Sequence, residues 1–428
     1  MRRHDAWIES VPETWRVLRL GSIGTFSRGR GGSKEDNRDH GVPVVRYGEL
    51  YTKFDNVIAE AHSFVDESDA PKYAVLPAGS IVFAGSGEDP AEIGKSALSR
   101  LEGLALVGGD TTVFKPSETV VDALYLAYAL ESPPLKTEKA LRATGFTVVH
   151  IGVSGLKTLP VPLPPLGEQR AIAAYLDVAT ARIDMLIAKQ REMIRLLDER
   201  KRAVPAGILG HIQVLAKRNG AVTLCAADDR WQSVPLRTMF DRKKDIGHPE
   251  EPMVSVFRER GVIFKGDAEN LNKTAENRDI YQLVHPGWLL VNRMKAWQGS
   301  VGISGIRGIT SGHYICFAPC HGADDRFLNA LLRSPAYVAA YGMLSRGVRP
   351  GQIEIDNDLL GSLPVVLPPR TEQSAIASEI DDETAKIGAL IAKTREHMAL
   401  ARERRNSLVT AAVTGQFDVH AASTRGVA

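Results

Sequence analysis

Two stretches of this chain decide its reading: LPVPLPPLGEQRAIAAYLDVATARID (Leu159 to Asp184) and LPVVLPPRTEQSAIASEIDDETAKIG (Leu363 to Gly388). The second begins 204 positions after the first and aligns with it without a gap. A period that long is no solenoid repeat, so the chain carries a duplicated domain. Each phrase starts in prolines and then turns helical in period. Proline is tolerated at a helix start and stiffens the approach to it. Gly167 and Thr371 occupy the place where an N-cap is expected.

Downstream of each phrase the apolar spacing alternates fours and threes. In the first copy it runs Ile172, Leu176, Ala179, Ile183, Leu186, Gln190, Met193, Leu197, Arg200, Val204. In the second it runs Ile376, Ile380, Glu383, Ile387, Leu390, Thr394, His397, Ala401, Arg404, Leu408. That is a heptad seam in each copy, and pairing the two seams is a simpler burial than laying each helix on its own globule. About 40 helical residues at about 1.5 Å each make a rod of about 60 Å.

Weaker matches surround the phrases in the same order. Trp15-Arg-Val-Leu-Arg-Leu resembles Trp231-Gln-Ser-Val-Pro-Leu, and Leu76 to Ala84 resembles His285 to Asn292. Gly108 to Pro116 resembles Ser311 to Pro319, and Tyr125 to Pro133 resembles Phe327 to Pro335. Each copy is therefore a globule followed by a long helix. Short β-like runs (Ser80 to Phe83, Thr111 to Phe114, Trp288 to Val291, Tyr314 to Phe317), a helical patch at Tyr125 to Leu130, and Gly/Pro punctuation make each globule α/β or α+β. The division is a globule over 1–165, a helix over 166–214, a globule over 215–369, a helix over 370–417 and a tail over 418–428. The expected class is α+β: tandem duplicated α/β globules separated by two long antiparallel coiled-coil helices with pseudo-two-fold symmetry. Paired modules at fixed separation are a geometry that reads two half-sites on duplex DNA.

With 428 residues, 44% hydrophobic and 24% charged, the chain reads as soluble and multidomain. No apolar run approaches the roughly 18–20 residues of a membrane span. The charged start, MRRHDAWIESVPETW, has no apolar core of a signal peptide. Three cysteines fit a reducing cytoplasm, the expected location. Net charge is only +2, so composition alone does not mark a nucleic-acid binder.

The twice-written Pro-Pro-x-x-Glu-Gln helix opening, Leu159 to Asp177 and Leu363 to Asp381, resembles the specificity subunit of type I restriction-modification systems. The close of the second helix, Arg404 to Gly415, and Gly41 to Leu50 in the first globule resemble that family too. The resemblance implies that each globule is a target-recognition domain reading one half of a split DNA site. It implies that the helices act as ruler and docking surface for methyltransferase (modification) subunits, with restriction/translocase subunits joining them. It implies no catalytic residue and no cofactor on this chain; S-adenosylmethionine, ATP and Mg are expected on the partner subunits. The copies differ at one helix end. Where the second has Ser407 to Gly415, the first has Ala203-Val-Pro-Ala-Gly-Ile-Leu-Gly210, and Pro205 with Gly207 is expected to kink that helix or end it a turn early.

Duplex binding takes Arg and Lys for phosphates and Arg, Lys, Asn or Gln for base edges. In the first globule the candidates are Arg28, Arg30 and Lys34 of a Gly-rich loop, and Arg46. In the second they are Arg242, Lys243 and Lys244; Asn292, Arg293 and Lys295 after a strand-like run; and Arg346, Arg349 and Gln352 just before the repeated phrase. The globules differ throughout, so the half-sites should differ. Two alternatives stay open: a methyltransferase using Phe83-Ala-Gly-Ser-Gly87, and a coiled-coil scaffold without nucleic acid. No Asp/Asn-Pro-Pro-aromatic run supports the methyltransferase. Gly94-Lys95-Ser96 lacks the glycine five places earlier that a phosphate loop needs. His313, Cys316, Cys320 and His321 stand in a strand-and-turn context that favours a core cysteine over zinc.

Overall fold

The computed structural model describes residues 6–210, 212–218, 221–226, 228–267, 278–347 and 353–418. They form two compact units, Met1–Arg191 with Glu396–Ala428, and Glu192–Arg395. The division falls inside both long helices, so each unit takes the start of one helix and the end of the other.

In the first unit a five-stranded sheet has the order Gly24–Arg28, Thr111–Pro116, Ile81–Ala84, Ser96–Ser99, Val57–Ile58. In the second, a four-stranded sheet has the order Phe240–Lys243, Tyr314–Pro319, Leu289–Asn292, Val301–Ile303. The first four strands correspond one to one, down to register. Phe26 faces Phe114 and Arg242 faces Phe317; Ile81 faces Leu98 and Leu289 faces Ile303. The central strand is an unbroken apolar run, Ile81-Val-Phe-Ala84, because it is buried on both faces.

The proline half of each phrase is a strand. Pro160–Leu163 pairs antiparallel with Arg16–Arg19, and Pro364–Leu367 with Gln232–Pro235. A two-stranded ribbon has only edges, which is where proline is admitted to a sheet. The weak Trp15 and Trp231 matches are thus the partner strands of the strong ones.

The long helices run Leu166–Ile208 and Arg370–Val413. Each starts one residue ahead of the expected N-cap, so Gly167 and Thr371 lie inside the first turn. The Pro165 carbonyl accepts from the Glu168 and Gln169 amides (2.9 and 3.0 Å), and Pro369 does the same for Glu372 and Gln373 (2.9 and 3.0 Å). Proline serves as the cap because only its carbonyl is needed there. The glutamine of the phrase then ties the helix to its globule. Gln169 Nε2 donates to the carbonyls of Pro164 (2.8 Å) and Val120 (3.1 Å), while its Oε1 accepts from the Asp122 amide (2.9 Å). Gln373 donates to Pro368 O (2.9 Å) and accepts from the Asp324 amide (3.1 Å). Asp122 and Asp324 are themselves the N-caps of the short helices Ala123–Leu130 and Asp325–Leu332. Both glutamines are buried, which a polar side chain tolerates only when its hydrogen bonds are made.

The buried seam keeps most of the expected apolar positions and shifts a few by one residue. Ile172, Leu176, Ile380 and Ile387 are buried, and Ile183, Leu197 and Ile376 are half-buried. Leu186 and Leu390 are 49% exposed, and the adjacent Ile187 and Ile391 take the inward places. Two neighbouring apolar residues satisfy a heptad reading equally well, and only the surface opposite selects between them. Thr180 replaces Ala179 in the same way. Its hydroxyl donates to the Leu176 carbonyl (2.7 Å) and lies 3.2 Å from the Tyr128 hydroxyl, so its burial leaves nothing unpaired.

Within the first unit, Ile172, Ala173 and Leu176 share one core with Val409, Ala412 and Val413. Asp184 pairs with Arg405 at 2.8 Å, and Tyr175 lies against Phe417 with ring centroids 5.4 Å apart. The helix segments there run antiparallel. Within the second unit, Leu209 shares a core with Ala377 and Ile380, and Ile208 packs on it. The expectation that Pro205 ends the first helix early is corrected. The helix continues to Ile208, and the Pro205 carbonyl accepts from the Leu209 amide at 3.0 Å. Proline deprives only the Lys201 carbonyl of its donor, and residues 201–203 are exposed, where water replaces it.

Candidate nucleic-acid interface

In both units several of the candidates lie toward one end of the main sheet, while Arg242 stands farther along its strand, opposite Phe317. The Arg28 strand leaves beside Thr112, and Gly85, after the central strand, donates to the Asp110 carbonyl (2.7 Å). Correspondingly Lys243 faces Cys316, Asn292 faces Tyr314, and the Arg293 amide donates to the His313 carbonyl (2.8 Å). By register Arg28 corresponds to Lys244 and Gly85 to Arg293.

A hairpin docks on the same end in each unit. The Ile151 amide donates to Gly85 O (3.0 Å) and the Ile355 amide to Arg293 O (3.1 Å). The second hairpin pairs Ser345–Arg346 with Glu354–Ile355, which brings Arg346 to the Asn292–Lys295 loop. Arg349 and Gln352 lie outside the described residues. The first hairpin pairs Val149–His150 with Ser86–Gly87, so the Phe83 to Gly87 run is occupied as its seat. Gly87 leaves room there for the Tyr51 side chain, since a Cβ would sit 2.7 Å from its hydroxyl.

The candidate side chains divide by what holds them. Arg28, Arg242 and Lys244 are exposed and make no hydrogen bond or ion pair among the described residues. Lys243 pairs with Asp241 (3.1 Å) and Arg346 with Asp356 (3.4 Å), both at the surface. Arg30 and Arg46 are engaged in building the Gly-rich loop. Arg30 Nη2 donates to the carbonyls of Pro71 (3.0 Å) and Tyr73 (3.3 Å). Arg46 Nη1 donates to Ser33 O (3.0 Å), and its guanidinium lies 5.8 Å from the Tyr73 ring centre. The Tyr73 hydroxyl donates to Asp36 (3.0 Å), whose carboxyl is held below its usual range by the Ser33 amide and this hydroxyl. Lys34 belongs to the short turn Lys34–Asp36. Asn292 Oδ1 accepts from the Met294 and Lys295 amides (both 3.1 Å) and so shapes the loop that carries the exposed Lys295. Arg293 is half-buried, with a shielded Nε that has no partner among the described residues.

The rejected phosphate loop has a structural role. Glu131 accepts from the Ser96 amide and hydroxyl (2.8 and 2.7 Å) and from Lys139 (2.8 Å), with Lys95 at 3.3 Å. Burial raises its carboxyl, but Lys139, Lys95 and Lys136 outweigh that and hold it at about 2. The corresponding residue of the second unit is Arg333, of opposite charge, which donates to the carbonyls of Arg258 (2.8 Å) and Val301 (3.3 Å). Cys316 faces the core, and burial pushes its thiol up to about 12. Among the described residues no group of three acidic, His or Cys side chains is arranged to hold a metal. No helix among them is long and apolar enough to cross a membrane.

A duplicated α/β unit, each copy closed by the start of one long helix and the end of another, defines the class. Residues 12–195 match the family described as the type I restriction modification DNA specificity domain. The type I restriction enzyme EcoKI specificity subunit of Escherichia coli is 22% identical over 95% of this chain and 90% of its own length. The StySPI specificity subunit of Salmonella potsdam is 22% identical with the same coverage, 95% and 90%. Two solved structures share the fold. The HsdS subunit from Thermoanaerobacter tengcongensis matches with a TM-score of 0.51 at 17% identity, covering 95% of this chain and 98% of that one. A chain from a study of type I R-M complex assembly matches with 0.62 at 16% identity, covering 95% and 99%. On these matches residues 12–195 correspond to the type I restriction modification DNA specificity domain, and the chain is similar to type I specificity subunits over nearly its whole length.

Proposed function

We propose that the chain reads a bipartite, asymmetric site on double-stranded DNA, one half-site per unit, and docks the methyltransferase and restriction subunits that act on it. The observation that carries this reading is the common scaffold with different cargo: the same sheet end, loop and hairpin recur in both units, but present different side chains. Arg28 stands where the second unit has Lys244, and Gly85-Ser86-Gly87 where it has Arg293-Met294-Lys295. A reader of two unlike half-sites needs a constant frame and a variable face. The exposed Arg28, Arg242 and Lys244 are suited to phosphate contact, and the Asn292–Lys295 and Arg346 loops to base edges. Arg30 and Arg46 contribute by holding their loop. The chain supplies no catalytic group; S-adenosylmethionine, ATP and Mg are used on the partner subunits.

The test is methylation-sensitive sequencing of DNA from cells expressing the chain with its methyltransferase subunits, followed by binding of the assembled complex to a labelled duplex carrying the motif found. A split motif with unlike halves and affinity that falls steeply with salt are expected. Removing Arg28 or Lys244 should lower the salt slope by about one. Methyl transfer by the chain alone would refute the reading in favour of a methyltransferase, and salt-independent behaviour in favour of a scaffold.

A further inference from the structure

The hairpin of the first unit carries a feature that neither the fold nor the cationic candidates use. Thr144 and His150 exchange two backbone hydrogen bonds (2.9 and 2.8 Å), closing a short loop, and the Phe146 side chain at its tip is fully exposed. Val148 beside it is 45% exposed. The loop is held firmly. Gly145 has a φ of +113°, where any other residue is strained. His150 Nδ1 lies 2.9 Å from Ser86 Oγ, and Val149 and His150 are paired to Gly87 and Ser86. A hydrogen-bonded turn thus presents an aromatic ring that is left uncovered among the described residues.

We infer that Phe146 is an affinity-setting DNA contact of the first unit, an aromatic ring that stacks on or wedges between bases of its half-site; this rests on the DNA-reading function proposed above. Three observations select duplex DNA as the occupant. The hairpin is seated on Gly85, at the same sheet end as the exposed, unpaired Arg28. Its counterpart in the second unit holds Arg346 beside Arg293, side chains with donors and no acceptor. And the ring has no hydrogen-bonding group, so it contributes through its π-face or as a wedge between base steps, contacts every base can make.

The test uses the full chain co-produced with its methyltransferase subunits and a labelled duplex carrying the motif that methylation mapping assigns. Phe146→Ala is expected to weaken binding about ten- to a hundredfold, with an unchanged salt slope and an unchanged melting temperature. Phe146→Trp retains most of the affinity. Arg28→Ala differs by lowering the salt slope by about one. Discrimination at the half-site of the second unit stays as in the wild type. Wild-type affinity and motif in Phe146→Ala overturn the inference, as does loss of the methyltransferase subunits in place of loss of DNA, which makes the ring a protein contact. A wild-type complex that binds no duplex refutes the DNA-reading function itself, and this inference with it.

Discussion

Replacing Gln169 by glutamate tests whether the repeated phrase works as a clamp. The substitution keeps shape and volume, and its oxygen can still accept from the Asp122 amide (2.9 Å). What it removes is the NH2 group that donates to Pro164 O (2.8 Å) and Val120 O (3.1 Å). The side chain is 1% exposed, so water does not replace the lost donors. Orphaning two buried acceptors costs about 1–3 kcal/mol each, and a carboxylate facing them adds repulsion. The group will escape part of this by binding a proton, since a neutral acid can donate to one carbonyl. A net loss of about 3 kcal/mol is therefore expected. At about 2–4 °C per kcal/mol for a unit of this size, melting falls by roughly 6–12 °C. The engineered carboxyl has a folded-state pKa raised above its unfolded value. The penalty is therefore largest above the folded pKa and shrinks as pH falls toward the unfolded one. Hydrogen exchange with mass spectrometry reports each unit separately. Exchange in the first unit should quicken roughly a hundredfold while the second stays unchanged. Gln373→Glu should act on the second unit and cost less, because Gln373 donates to a single carbonyl, that of Pro368, among the described residues. A Gln169→Glu chain melting within 2 °C of the wild type (about 1 kcal/mol or less), or a larger loss for Gln373→Glu, would refute the clamp.

Glu131→Leu should destabilise the first unit by about 3–5 kcal/mol in thermal melts, because Lys139 is left buried without its partner, and Lys139→Met in the same chain should recover much of it. Glu131, held at about 2, contributes stability that is present above the ordinary carboxylate range and lost as pH falls toward 2, so the wild type should weaken over that window more than Glu131→Leu does. Pro205→Ala should stabilise the second unit, by up to about 3 kcal/mol, since it restores an amide to an unbroken helix; a lower melting temperature would contradict the account of that turn. Deleting seven residues from each long helix shortens each by about 10 Å, and the spacer of the methylated motif should shrink by about three base pairs. An unchanged spacer would refute the expectation that the helices act as a ruler.

The candidate site was partly legible. Local composition marks Arg28, Arg242, Lys243 and Lys244, since their strand ends lie at the surface whatever else the chain does. The same composition marks Arg30 and Arg46, whose donors go to carbonyls and a ring supplied by residues 33, 71 and 73. A guanidinium available for a ligand and one spent on its own loop look alike in one dimension. Phe146 carries neither donor nor acceptor, so donor composition does not mark it. The signal was present: the loop before the second phrase holds Arg346, and the loop before the first is where its counterpart must lie.

By itself the sequence determined the duplication, the helical register to within one residue and the class of each element, because these follow from local periodicity and from residues that tolerate few backbone states. Only the tertiary structure decided which of Leu186 and Ile187, or Leu390 and Ile391, turns inward, because that choice belongs to the opposing surface. It also decided that Val409, Ala412 and Val413 complete the core that Trp15 and Ile172 begin. Burial is settled by neighbours brought from more than two hundred residues away, and no window along the chain contains both partners.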